Sequence, residues 1–141
     1  MGELTIKELN EMVGKAFSPW VLDLDLTVIE VGEQHIKISM QPAERLNRFG
    51  DIVSGQALMA AADCAMVLSV FVVCGEFTPC ATVDMNTSFL KPATNHELYV
   101  TGAIVRKGKT IVFTRAQIVS SRDGKPVLSA TGTYVLPPPP K

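Results

Sequence analysis

A chain of 141 residues bounds one domain with room for a sizeable core. Its net charge is −1 and its 13 lysines and arginines are scattered, which argues against nucleic acid as the main partner. With 47% of residues apolar and only 19% charged, some of the surface is expected to be hidden in an oligomer.

In chain order, Thr5 to Phe17 places Ile6, Leu9, Val13 and Phe17 at helical spacing, a short amphipathic helix that Ser18-Pro19 ends. This opening is amphipathic rather than apolar, unlike a signal peptide, and Ile6 fails the N-myristoylation pattern. Leu22 to Val31 and His35 to Gln41 alternate apolar and polar residues, and Gly32-Glu33 joins them as a hairpin. Pro42 to Val53 reads as a loop.

Good helix formers then run on from Gly55 to Val73, apolar on every side and without proline, which predicts a buried helix. One acid, Asp63, sits in its middle, where a carboxylate is costly unless paired or hydrogen-bonded. Ser54 is a favoured N-cap. Gly55 and Gln56 open the helix, where free N–H groups and the positive end of the dipole face outward. With no side chain at Gly55, a ligand oxygen can come close to its N–H. A carbonyl polarised there, with an acid nearby, would make a hydrolytic site. The alternative is a capped core helix with a satisfied structural Asp. Interrupted by Asp63, this helix reads as core rather than as a membrane span, so no membrane partner is expected.

Gly75 to Pro79 turns the chain, and four strands follow as a meander: Ala81 to Leu90, Glu97 to Arg106, Thr110 to Ser121 and Pro126 to Leu136. Lys107-Gly108-Lys109 and Arg122-Asp123-Gly124-Lys125 are the tight connections, the second an Asp-Gly hairpin signal. The domain is expected to fill 1–136, with 137–141 a disordered polyproline tail. Cys64, Cys74 and Cys80 are odd in number and lack metal-ligand spacing, so no metal site is expected. Reduced thiols fit a cytoplasmic protein. A single apolar helix needs a surface around it, and a strongly curved antiparallel sheet supplies one. The expected fold class is α+β.

Taken together, Asn47…Gly50, Ser54-Gly55, the acid at Asp63, the strand TVDMNTSFLKPA from Thr82 to Ala93 and the RKGKT turn resemble the hotdog fold. In particular the chain is similar to its acyl-CoA thioesterases of the phenylacetyl-CoA type, from about Leu22 to Leu136. The resemblance implies a curved antiparallel sheet wrapped around one long buried helix, with a short N-terminal helix in addition. It implies that Asp63 is the catalytic acid, a general base toward water or a nucleophile on the thioester, and that the Gly55 N–H polarises the carbonyl. Asn47 matches a polar loop residue near the carbonyl or water, and Thr82 a hydroxyl that places the water. Ser54 and Gln56 flank the donor, while Arg106, Lys107 and Lys109 suit the phosphates of coenzyme A. Met59, Met66 and Val67 are candidates to line the acyl pocket. Coenzyme A would be part of the substrate, no further cofactor is implied, and the implied assembly is a homodimer or a homotetramer made as a dimer of dimers. Two departures stand out. Ser54-Gly55-Gln56 replaces the family's frequent His-Gly-Gly, and the loop from Asn47 to Gly55 is one residue longer.

Other chemistries fit less well. A nucleophile elbow would need glycines where Ile52 and Gln56 stand, and neither His35 nor His96 lies near the helix, as a hotdog dehydratase would require. Asp84 is expected to point to solvent, and Arg45 and Arg115 to be surface charges. The competing reading is a non-catalytic acyl-CoA-binding module or sensor, which would keep the pocket and the Gly55 donor without needing Asp63.

Overall fold

The computed structural model describes residues 3–138; the expected tail lies beyond Pro138 for its last three residues, outside the described part. Helix α1 spans Ile6–Ala16 behind a capping box in which the Thr5 hydroxyl accepts from the Glu8 N–H and the Glu8 carboxylate accepts from the Thr5 N–H. Leu9 and Val13 are its buried stripe. Pro19 opens a second, four-residue helix, α2 (Pro19–Leu22), because proline at a first-turn position has no N–H to lose. Strand β1 is therefore shorter than expected, Leu26–Val31, and pairs antiparallel with β2, His35–Met40. Its register shifts between Val28 and Glu30, and there the Asn10 side chain takes up the backbone of Val28, accepting from its N–H at 2.8 Å and donating to its carbonyl at 3.1 Å. The bulge is thus pinned to α1.

The expected loop after β2 holds a 3-10 turn at Glu44–Leu46 and a small hairpin, β3 (Asn47–Arg48) with β4 (Ile52–Val53). The long helix α3 follows as Gly55–Cys74, capped by Ser54 and closed by Gly75 in the left-handed conformation, φ 75°. It is long and apolar enough to cross a membrane, yet most of it is buried inside the fold, which is how a core helix sits. Strands β5 (Ala81–Phe89), β6 (Leu98–Lys107), β7 (Ile111–Ser120) and β8 (Pro126–Val135) complete the chain.

The sheet order is β1-β2-β6-β7-β8-β5, all antiparallel, with α3 across its concave side. This corrects the expected four-strand meander. Only β6, β7 and β8 are joined by tight turns, and β5 lies at the far edge beside β8, with the chain crossing back through Lys91–Glu97 to place β6 beside β2. Helix and sheet come close at Gly102, where a Cβ would stand 2.2 Å from the Ala65 carbonyl oxygen. Glycine on β6 and the alanines of α3 let the two backbones touch, which fixes how deep the helix sits. Around that contact the core closes with Leu58, Met66, Leu68, Val100, Val112, Ile118 and Leu128, all at most 3% exposed.

Candidate active site

Asp63 stands just over two turns into α3 on the part of the helix the sheet leaves uncovered. Met59 and Val67, one turn before and after, share that face; Met59 is exposed and Val67 half-buried. The carboxylate is half-buried and its Oδ1 accepts a 2.6 Å hydrogen bond from the Tyr134 phenol. Oδ2 has no partner among the described residues. Tyr134 is wholly buried on β8, its ring lying against Gly132, where a Cβ would come within 3.0 Å of both that ring and the Met66 thioether. Burial, and then the charge of Asp63, push the phenol's ionisation far above its ordinary range, so it remains a donor. Burial likewise raises the thiols of Cys64, to about 12, and Cys80, to about 11, so neither is poised as a nucleophile. Thr82 is the cross-strand partner of Tyr134, and such partners share one face of a sheet, so its side chain projects toward the Asp63–Tyr134 pair.

The helix start forms a second centre. The Ser54 hydroxyl accepts from the Ala57 N–H at 3.2 Å and the Ser54 carbonyl from Leu58 at 3.1 Å. The N–H groups of Gly55 and Gln56 are left without a partner among the described residues, while Gln56 is exposed. The Phe89 ring would lie 3.4 Å from a Cβ at Gly55, so the glycine opens onto that aromatic face. Beside it is a cleft of about 290 Å³ walled by Ile52, Leu58, Phe89, Leu90 and Ala93, with Arg48 and Lys91 adding charge. Lys91 is paired with Asp123 at 2.6 Å, and Arg48 sits over the exposed Phe49 ring.

The structure brings some of the sequence candidates together and separates others. Asn47 pairs with Val53 next to the helix start, but it lines a neighbouring hollow with Glu44, Asp51 and Asn95. Arg106, Lys107 and Lys109 are exposed at the β6–β7 turn, at the Tyr134 end of the sheet, since Lys107, Val112 and Tyr134 form one row across three strands. Met66 is a core residue, 0% exposed. Asp84 is exposed, as expected. Tyr134 and Phe89 were not among the candidates, although one signal was available for Tyr134: a tyrosine on the inward side of a strand needs a partner for its hydroxyl. Among the described residues, no three His, Cys, Asp or Glu side chains gather as a metal site requires.

The description of the thioesterase superfamily matches residues 50–127. A provisionally named esterase of Thermoplasma acidophilum is 28% identical over 121 residues, 86% of this chain and 90% of that protein. Among solved structures, a phenylacetic acid degradation-related thioesterase of Ralstonia eutropha, so named provisionally, superposes with a TM-score of 0.76 at 24% identity, covering 89% of this chain and 96% of that one. A thioesterase of Haemophilus influenzae superposes with a TM-score of 0.85 at 18% identity, covering 96% and 92%. At these identities the likeness of the two structures is one of fold, and the fold is the hotdog fold.

Proposed function

This chain belongs to the thioesterase superfamily, and we propose that it hydrolyses the thioester of an acyl-coenzyme A to the free acid and coenzyme A. The observation that carries this reading is Asp63: a carboxylate in an apolar helix, held at one oxygen by a buried phenol and open at the other. The thioester carbonyl oxygen would accept from the Gly55 N–H, where the helix dipole favours the negative charge that develops. Asp63 then takes the proton of an attacking water held by Thr82, or attacks the carbonyl carbon itself. By the first route the C–S bond breaks and the thiolate leaves with the proton that Asp63 took from water. By the second the thiolate leaves as an acyl–Asp63 anhydride forms, and water then hydrolyses that anhydride, releasing the free acid and the proton that the thiolate takes up. The Ile52–Phe89 cleft beside Gly55 suits the apolar part of the substrate, and the basic turn at Arg106, Lys107 and Lys109 suits its phosphates.

The site is shared between two subunits. Eight residues of helix separate Gly55 from Asp63 by about 12 Å, whereas the carbonyl they act on is ~1.2 Å long. A two-fold axis that sets Gly55 of one copy near Asp63 of the other removes the mismatch. The free edge of β5 supports such a pairing, because an uncovered edge strand is a template for another chain. The test is turnover of a panel of aromatic, short and long acyl-CoAs followed by free-thiol release. Wild type should cleave at least one of them, and Asp63→Asn should lower that rate by about a thousandfold without loss of binding. Binding without turnover by the wild type would instead identify an acyl-CoA-binding module.

A further inference from the structure

We infer that Tyr134 is a positioning residue for Asp63, its buried phenol holding one carboxylate oxygen so that the other is presented to the attacking water or to the thioester carbon. This inference rests on the catalytic reading of Asp63 and adds a residue to it.

Three observations converge on the phenol. First, the ring is 0% exposed, and a buried tyrosine hydroxyl requires a partner; the one it has is Asp63 Oδ1 at 2.6 Å. That distance is in the range of bonds whose acceptor is charged, the stronger class. Second, the ring itself cannot wander. Gly132, two residues earlier on the same face of β8, leaves the space in which the ring lies, and Met66 of α3 closes over the same spot. An aspartate on a half-uncovered helix face would otherwise sample several rotamers, and tethering Oδ1 to a rigid strand selects one. Third, Tyr134 and Thr82 are opposite one another on β8 and β5. The donor that fixes the acid and the hydroxyl proposed to hold the water therefore come from one cross-strand pair, so their spacing is set by the sheet ladder rather than by a loop.

The groups around the pair are consistent with a lasting donor–carboxylate contact. Cys64 and Cys80 are the other titratable side chains that act on the phenol, and both thiols stay protonated through neutral pH. The basic residues nearest in the sheet, at the β6–β7 turn, are exposed and leave Oδ1 to Tyr134.

The experiment is a double-mutant cycle on the full-length protein, with Tyr134→Phe, Asp63→Asn and the two combined, read as kcat and KM on the best acyl-CoA of the panel. Tyr134→Phe should lower kcat by about tenfold to a hundredfold, one or two hydrogen bonds' worth, and leave KM within about twofold. In the Asp63→Asn background the same change should cost no further rate, since the group it orients no longer reacts. 4-Aminophenylalanine at position 134, which keeps a donor on the same ring position, should recover part of the lost kcat. A wild-type kcat in Tyr134→Phe, a loss appearing in KM alone, or an equal loss in both backgrounds would overturn the inference while leaving Asp63 in place. Full activity in Asp63→Asn would instead overturn the reading beneath it. Should Tyr134→Phe not fold, the aminophenylalanine protein decides: its weaker donor must lower kcat at constant KM, and an unchanged kcat refutes the positioning role.

Discussion

Strands β7 and β5 flank β8 on its two sides, both antiparallel to it and of nearly equal length, yet they differ in every respect that matters for function. On β7, exposed Ile111, Phe113, Arg115 and Gln117 alternate with buried Val112, Thr114, Ala116 and Ile118, the period-two pattern of a strand with one face on the core. On β5 every residue except Met85 and Thr87 is exposed, on both faces. The inward residues of β7 face α3; those of β5 overhang the helix, at the Asp63 end with Thr82 and at the Gly55 end with Phe89. One chain therefore completes its core on the β7 side and leaves it unfinished on the β5 side. Gly55, Asp63 and Thr82 are the candidates that lie along this unfinished side.

The sharpest way to test that comparison is to complete the β5 side with two differently damaged copies. Gly55→Pro removes the proposed donor at a first-turn position where proline is tolerated, and Ser54, with ψ 146°, already has the extended backbone that precedes proline. Homodimers of Gly55→Pro and of Asp63→Asn should both be nearly inactive. In a mixed dimer with sites shared across the axis, both lesions fall in one site and the other is whole. Turnover should then return to about half the wild-type value per dimer. Purified mixed dimers as inactive as both parents would place each site within one chain.

Next in size is the effect of charge on the two strands. In a two-fold pairing β5 meets its own copy, so lysines placed on it face lysines. Asn86→Lys combined with Ser88→Lys, both at exposed positions, should shift the protein toward monomer in sedimentation and lower turnover at least about tenfold. Gln117→Lys, equally exposed on β7, should change neither. A β5 double variant that remains dimeric and active would move the interface elsewhere.

Two threonines draw the same line at smaller amplitude. Thr82→Ala on β5 should lower kcat by about tenfold to a hundredfold with little change in the unfolding midpoint, because an exposed hydroxyl that holds a water contributes little to folding. Thr114 on β7 is 2% exposed and donates to the Gly132 carbonyl at 2.9 Å. Thr114→Val should therefore cost about 1 kcal/mol of stability in urea titration and leave kcat unchanged. If the two outcomes were exchanged, the division between a structural and a functional strand would fail.

The sequence carried the local half of this picture well. Thr5 with Glu8, Ser54 and Gly75 are capping signals that act within a few residues, and each marks a real helix end. Asp63 was legible because a lone acid in an apolar helix is a local anomaly. What escaped was long-range. Nothing within β5 tells it to join β8 rather than β6, since that choice depends on how the chain crosses back from Lys91 to Glu97. Pro19 reads as a stop for α1 and is at the same time a start for α2. The Tyr134–Asp63 bond joins residues 71 positions apart, so composition and spacing around either one are silent about the other.

The last effect is one of stability alone, and it too separates the two sides of β8. The buried residues of β7 carry no ionisable group, whereas the side facing α3 and β5 holds Cys64, Cys80 and Tyr134. Burial is the largest cause in all three, and the folded chain resists their ionisation. Cys64 ionises at about 12 and Cys80 at about 11 in place of 9.0, and Tyr134 is raised well above 10.0. A raised folded value means that the unfolded chain releases its protons first. The stability tied to these groups is therefore intact below about pH 9 and declines as the pH rises toward 11 and 12, by at most about 1.4 kcal/mol per pH unit for each fully shifted group. Cys80 is half-exposed and should contribute well under that limit. Under reducing conditions, the urea midpoint should be level between pH 7 and 8.5 and fall from pH 9 to 10.5. Cys64→Ala should flatten that fall, whereas Thr114→Val, which removes no titrating group, should lower the midpoint equally at every pH. A slope unchanged by Cys64→Ala would show that the alkaline sensitivity arises outside the α3–β5 side.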